Sequence, residues 1–518
     1  MNLIQRVMNA FTTGNKKIEP KRVQKRSYKA AETTNSNFNW TRSTETEDSA
    51  IHKSLVAIRS RSRDLARNNP IMKHFLQMLG QNVVGQNGFK LQVLAKDSKG
   101  MLDSVKNEAV GRAYKEWSKK ENCDLYEKQS LTQICDTLIK TIAKDGECLV
   151  RLIKEKGSKK NPFGFKLQLL DPDRLDLTLT NIDLENGNTV IMGVELTQYG
   201  VPVAYYLRRY SAKDSSHLSG IITTEHERVS TDDLLHLFLQ ENVEQTRGMP
   251  WAHAVMIYMH DLDEFNQACL TAAKVGAAST VFLERESGER TESIADYEED
   301  GEYISELGFG QIRSVPAGFS MKSFSPDYPS DAYQIYTKRL LQAIAGGLGL
   351  SQVFLGNDTE DLNYSTARTI ILEERNYWGK IQQFMIEHFM DRIYNEWLKQ
   401  ALLNKQIITK TEQVLSPVEI KSLKEHEFIG RKWAAVDEQK QENANLLAYQ
   451  NMQKSRSQIA NENGQDYRSI LEQYKQDREL EKEILGEDFD YFNKTDFSNS
   501  QTNQNNTIEK PANDNLSN

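Results

Sequence analysis

The chain has 518 residues, 38% of them hydrophobic and 27% charged, with a mean hydropathy of −0.64. That leaves room for about three domains, and it is polar for a compact enzyme without being poor enough in apolar residues for wholesale disorder. The 65 Lys and Arg against 73 Asp and Glu give a net charge of −8, which argues against a protein that grips nucleic acid mainly by neutralising phosphates.

No apolar run is long enough to span a bilayer, and the N-terminal MNLIQRVMNAFTTGNKK lacks an apolar signal core, so the expectation is a protein that stays in a cytosol with no membrane partner. Cys123, Cys135, Cys148 and Cys269 show neither CxxC spacing nor a His partner at ligand spacing and read as reduced core thiols.

In chain order, residues 1–45 form a flexible arm, basic over its first 30 residues, where eight Lys and Arg face a single acid, Glu19. Ser54–Gln81 carries Leu55, Ile58, Leu65, Ile71, Phe75, Leu76 and Leu79 at helical spacing, with a break or kink at Pro70. From Val83 to Phe238 the pattern shortens to alternating runs, among them Lys90–Val93, Glu147–Ile153, Lys166–Leu170, Val190–Glu195 and Ala204–Arg209. This predicts a mixed α+β domain with a mostly antiparallel sheet, covered by helices at about 105–120 and 130–144.

Pro250 suits the first turn of a helix, and residues 251–278 are expected to be a single helix of about 25 residues. Residues 280–328 read as strand and loop, with ten acids against two bases between Glu284 and Glu306. A second helix starts near Asp331 and runs into the cluster Gly346, Gly347 and Gly349; the polar loop Gly356–Asn363 follows. Thr366–Leu403 then predicts a helix of roughly 57 Å, too long to be stable without packing along its length. Residues 420–486 look helical and highly charged, with a break at Gly464, and the Asn/Ser/Gln-rich end is expected to be disordered.

No catalytic constellation emerges. There is no GxxxxGK[ST], no HExxH, no GxSxG, and no GxGxxG between a strand and a helix, so no enzymatic activity and no cofactor are expected. His253 and His260, seven apart on the first long helix, read as helix-surface histidines rather than ligands. Glu298, Glu299, Asp300 and Glu302, like Asp358, Glu360 and Asp361, could hold a hard divalent cation, but solvated acidic surface is the better reading and no metal is expected.

The order of long helix, acidic inserted lobe, helix, glycine break, polar loop and very long helix resembles the phage portal proteins. Seven strings narrow this to the lambda-like portal family: Arg61-Ser-Arg-Asp-Leu-Ala-Arg-Asn-Asn-Pro70 leading to Asn82-Val-Val-Gly85; Asp145-Gly-Glu147; Leu169-Leu-Asp-Pro-Asp-Arg174; Gly193-Val-Glu195; Arg247-Gly-Met-Pro-Trp251; Ile344-Ala-Gly-Gly-Leu-Gly349; and Asn363-Tyr-Ser-Thr-Ala-Arg368 followed by Glu373 and Arg375. They fall in family order over about residues 50–405. The lead-in Glu241–Gln245 departs from the more basic, proline-containing stretch expected there, and Thr366 replaces a serine of the tunnel motif.

The resemblance implies a ring of about twelve subunits at a capsid vertex. On this chain it implies a wing at 46–249, stem helices at 250–279 and 329–349, and a clip at 280–328. A tunnel-loop region at 350–365, a long wing helix at 366–403, a return to the wing at 404–419 and a helical crown at 420–490 follow, with a tail at 491–518. It implies passage of double-stranded DNA into and out of the head, and contacts with the terminase large subunit, major capsid and scaffolding proteins and a head–tail adaptor.

Asn357, Asp358, Thr359, Glu360, Asp361 and Asn363 would then face the DNA channel, and Glu298, Glu299, Asp300 and Glu302 would dock terminase. Trp251 and Trp397 are candidate anchors of subunit packing. The alternatives are a Mg-dependent nuclease built on the clustered carboxylates, whose acids should converge with a Lys or His on a compact core, and an adaptor that binds through its helical C-terminal third.

Overall fold

Pro70 divides the first helical run. Helix α1, Glu47–Asn68, buries Ile51, Leu55, Arg59, Ser62 and Leu65 at intervals of three or four. Asn69 then turns extended, and its side chain accepts from the Met72 amide at 2.9 Å, so α2, Pro70–Leu79, starts with a capped first turn whose proline lacks an N–H that would have had no partner. This computed structural model describes residues 44–209, 225–277, 281–285, 319–323, 331–356, 363–433, 438–463 and 467–485. The chain divides into units Met1–Thr46 and Glu47–Asn518, and every element named here lies in the second.

A π-helical turn, Gly80–Val84, extends α2 towards strand β1, Lys90–Val93. Helices α3, Ser104–Trp117, and α4, Leu131–Asp145, follow, the latter opened by a capping box between Ser130 and Gln133. Two antiparallel sheets come next. The first has order β3-β2-β9 (β2 Glu147–Lys154, β3 Phe165–Leu170, β9 Leu234–Phe238), with Leu149 opposite Leu170 and Glu147 opposite Phe238. The second runs β4 to β8 in chain order (β4 Ile182–Asp183, β5 Thr189–Ile191, β6 Val194–Leu196, β7 Pro202–Arg208, β8 His226–Ser230).

The expected helix over 251–278 starts later than its proline suggests. Residues 251–255 form turns, pinned where the Trp251 amide donates to Ala143 O at 3.0 Å, and helix α5 spans Met256–Ala277. His253 therefore sits in the turn, its Nδ1 3.0 Å from Pro250 O, and shares no helix face with His260. Helix α6, Asp331–Gly347, packs back along α5: Phe265 meets Tyr333 at one end and Gly347 meets Val255 at the other, so the two run antiparallel. Between them, β10 (Val281–Arg285) and β11 (Phe319–Ser323) pair antiparallel.

Short helix α7, Gln352–Gly356, precedes a helix running from Tyr364 to Leu403: α8 (Tyr364–Met385), a π turn at Ile386–Met390 and α9 (Asp391–Leu403). Its last turns enter the largest core cluster, where Trp397 lies 5.0 Å from Tyr114, 6.0 Å from Trp117 and 6.3 Å from Phe163, ring to ring. Residues 420–433, expected in the helical C-terminal third, fold differently. A single turn, α10 (Ile420–Leu423), leads to strand β12, His426–Ile429, which pairs antiparallel with β1, Lys90 opposite Ile429. Phe428 and Ile429 are buried there, a sheet solution that helical counting could not anticipate.

Helices α11 (Glu438–Gln450), α12 (Arg456–Glu462) and α13 (Tyr467–Leu485) follow, and Ala460 is the one buried side chain described among them. Among the described residues no helix is long and apolar enough to cross a membrane. Cys123, Cys135 and Cys148 are buried free thiols, and Cys269 is half-buried and free.

Candidate functional site

The strings that carry the family resemblance lie far apart in the chain, and the fold brings four of them to one place. Helix α4 ends at Asp145, Gly146 turns the chain with φ 91°, and Glu147 opens β2. A Cβ on Gly146 would lie 2.5 Å from the Met249 carbonyl carbon, so glycine alone allows the 247–250 segment to cross there. That crossing delivers Arg247 to Glu147. Its Nε donates to both carboxylate oxygens at 3.0 Å, its Nη2 to Oε1 at 2.5 Å, and the Gly248 amide adds a bond to Oε2 at 3.0 Å.

Two further side chains close around the same carboxylate. Arg59 on α1 donates to Glu147 at 2.9 Å, to Asp173 at 2.8 Å and to the Asp145 carbonyl at 3.0 Å. His236 Nε2 on β9 lies 2.8 Å from Glu147 Oε2. One helical turn on, Arg63 donates to Asp145 at 2.8 Å, to Asp171 at 3.0 Å and to Asp173. Arg59, Asp145, Glu147 and Arg247 are all buried. Burial alone would push the Glu147 carboxyl up, but Arg247, His236 and Arg59 outweigh it and hold Glu147 well below the usual carboxylate range. Asp173 is held low against its own burial in the same way by Arg59 and Arg63.

A carboxylate so held gives no proton at neutral pH and has no open coordination face, so this centre is a lock and not a catalytic site. It ties α1, the start of β2, the turn at 171–174 and the 247–250 segment into one arrangement. Its cost is met only because every charge has a partner. Glu195, in the Gly-Val-Glu string, makes a smaller copy on the second sheet: hydrogen bonds from Arg228 outweigh its burial and, with Asn188 and Asn186, lower it to about 2.

The other strings build the base of the α7–α8 connection. Asn363 caps α8, its side chain accepting from the Thr366 amide at 2.9 Å, which is how the Asn-Tyr-Ser-Thr string starts a helix. One face inward, Glu374 accepts from the Ser351 amide at 2.9 Å, and burial raises its carboxyl. Gly349 takes φ 73° where the Tyr377 ring lies 3.1 Å from any Cβ placed there. His74 Nε2, 3.1 Å from Phe354 O, holds α7 from the side of α2.

Of the residues singled out from sequence, Asn357, Asp358, Thr359, Glu360 and Asp361 lie outside the described residues, as do Glu298, Glu299, Asp300 and Glu302. Trp251 and Trp397 are buried within this one chain, 8% and 0% exposed. Among the described residues one group could offer ligands to a metal, His260, Asp261 and Glu264, and all three are exposed on one helix surface. The residues that sequence reasoning passed over are Arg59, Asp145, Glu147, Asp173, His236 and Arg247. Most stood inside the quoted strings, and the available signal was their complementary charge.

An α+β body joined to an antiparallel helix pair with a segment inserted between its members is the class of protein the fold defines. The sequence profile described as "Phage portal protein, lambda family" matches residues 33–382. The chain is 30% identical over 460 residues to a probable portal protein of Halomonas phage phiHAP-1, covering 87% of this chain and 86% of that one. It is 23% identical over 465 residues to portal protein B of Escherichia phage lambda, covering 84% and 85%.

The chain belongs to the lambda family of phage portal proteins. Solved structures of the neck of a native gene transfer agent particle, computed with C12 symmetry, and of the virion of such a particle align at 13% identity, with TM-scores of 0.41 and 0.42. They cover 80% of this chain and 94% and 93% of theirs, a likeness too low to add to the family assignment.

Proposed function

We propose that the chain acts as a ring of about twelve copies at one vertex of a phage head, assembled in the host cytoplasm and conducting double-stranded DNA into the head during packaging and out during ejection. The observation that carries this is the α5–α6 pair. Two antiparallel helices flank residues 278–330, a hairpin pairs near the two ends of that insert, and both helices leave apolar side chains outside: Ile257, Leu270 and Ile335 are 69%, 56% and 65% exposed. Within one chain the pair closes along a seam that includes Phe265, Tyr333 and Tyr336. Helices with apolar residues on their outer faces suit packing against neighbouring copies.

In this reading the insert is the clip and offers Glu298, Glu299, Asp300 and Glu302 to a basic terminase surface. Residues 357–361, together with Asn363, line the channel, where Asp358, Glu360 and Asp361 repel phosphates and favour sliding over binding. Capsid, scaffolding and head–tail adaptor proteins are the remaining partners. The family assignment favours this role over the nuclease alternative. Negative-stain microscopy and mass photometry of the purified full chain test it: rings with a central hole are expected, and a chain that stays monomeric at micromolar concentration overturns it.

A further inference from the structure

A chain of net charge −8 would be expected to spread its cations among its acids, and the described stretch that follows β12 does not. Strand β12 leads into Gly430, Arg431, Lys432 and Trp433, and these four residues separate two adjoining clefts. The first, of 800 Å³, opens between the turn that follows α2 and the end of β12; Gln77, Gln81, Lys90, Lys140, Arg431 and Lys432 line it. The second, of 1020 Å³, lies between α8 and the C-terminal helices, with Arg375, Gln382, Lys432, Trp433 and Lys454 on its walls. Ile429, Gly430 and Lys432 border both, so the clefts form one track with cations along it.

The acids on this track are fewer and mostly engaged. Asp136 pairs with Lys140 at 2.6 Å and Glu462 with Lys454 at 2.6 Å, while Glu427 stands at the rim. Arg375, Arg431 and Lys432 have no carboxylate partner among the described residues. The Arg431 guanidinium donates to the Gln81 carbonyl, and Arg375 lies 6.0 Å from the Trp433 ring. Burial and the nearby Arg431 both lower the Arg375 guanidinium, the mark of like charges held together without a counter-charge.

We infer that this track binds the phosphates of a nucleic-acid backbone, through Arg375, Arg431 and Lys432 with the side-chain amides of Gln77 and Gln81 beside them. The inference rests on the portal reading for the supply of DNA, and it concerns a surface separate from residues 357–363. A repeating polyanion suits it better than one carboxylate, because the cations are spaced along two joined clefts instead of converging on one point. Amide donors and guanidinium forks are the groups that take phosphate oxygens.

The test is fluorescence anisotropy of a labelled 30-bp DNA duplex with the full chain, read as log affinity against log salt. Replacing Arg375, Arg431 and Lys432 by Gln together is expected to weaken binding at low salt by about 10- to 100-fold and to flatten the salt slope by about 2 to 3, since each phosphate contact contributes about 0.9. The charge-preserving pair Arg375→Lys and Arg431→Lys should keep the slope. Single Arg375→Gln and Lys432→Gln variants, each losing about 0.9 of slope, carry the test if the triple variant does not fold.

A folded triple variant with wild-type affinity and slope overturns the inference. So does a triple variant that binds DNA normally but no longer forms rings, which would assign the track to carboxylates of a neighbouring copy. The portal reading fails on a different result, absence of rings from the wild-type chain, and the salt slope reports the track whatever the assembly state.

Discussion

Residues 47–247 and residues 438–485 are both rich in charge and use it in opposite ways. In the first region Arg59, Asp145, Glu147 and Arg247 are buried and matched atom for atom across four chain segments. In the second no charged side chain described is buried, and Leu447, Tyr474 and Ile484 stand 57%, 57% and 69% exposed beside the charges. The difference separates a body that is complete in one chain from helices that bury almost nothing by themselves. Helices of that length gain most of their stability from packing, and within one chain these described helices find little of it.

The largest effect should come from breaking the lock. Glu147→Gln leaves Arg247 buried without its counter-charge and Arg59 with Asp173 alone, and a loss of about 3–5 kcal/mol is expected in urea unfolding. A loss below 1 kcal/mol would mean that the buried region does not depend on its charges. Trp397→Ala should cost about as much, 3–5 kcal/mol, in the dilute chain as well as in the assembly, because its ring is enclosed by Tyr114, Trp117 and Phe163 of the same chain. Trp397→Phe should cost much less, since the indole N–H has no partner among the described residues. If Trp397→Ala destabilised only the assembled form, this tryptophan would belong with the second region.

Acid should separate the two regions next. Glu195 is held at about 2 against an ordinary 4.5, and Glu147 and Asp173 are held low as well. A carboxyl lowered in the folded state adds stability above its unfolded pKa and loses it as pH falls through the folded one. Melting temperature should therefore fall steadily from about pH 4.5 towards pH 2, and the fall should be smaller in a Glu195→Gln variant. Deleting 467–485 should move the melting temperature of the dilute chain by no more than a degree or two while removing its dependence on protein concentration. A large drop in the dilute chain would show that α13 belongs to the body.

The smallest expected effect is at Glu374. Its carboxyl is raised by burial, so its ionised form costs stability as pH rises above the ordinary carboxylate range, and Glu374→Gln keeps an oxygen for the Ser351 amide. The melting temperature at pH 7 should stay level or rise slightly, and a clear fall would show that the charge itself is used.

Local signals were legible in the sequence where the partner was close by. The break at Pro70, the helix at about 130–144 and the long helix from Thr366 each depend on residues within a few positions, and the α+β class follows from short alternating runs. The start of α5 was misplaced by five residues because a backbone bond from Trp251 to Ala143, more than a hundred residues earlier, holds 251–255 as turns. Strand β12 was missed for the same reason, its partner being β1. The ionic lock was visible only as separate strings: Arg59 and Glu147 are 88 residues apart, and Glu147 and Arg247 are 100 apart. Nothing in either neighbourhood states that they meet.

The pairing of β1 with β12 also sets an order of events during synthesis. Lys90–Val93 leaves the ribosome roughly 330 residues ahead of His426–Ile429, an interval of about 17 to 70 s at ordinary elongation rates. For that time β1 has an open edge, and the core that Tyr394 later joins still lacks Phe428 and the Leu423 carbonyl that receives the Tyr394 hydroxyl. The α5–α6 pair and the segment between its members are therefore made before the body can close. A chain stopped short of residue 426 would expose an unpaired strand and an incomplete aromatic core, so truncated products should be cleared or aggregate, and the body can close only near the end of translation.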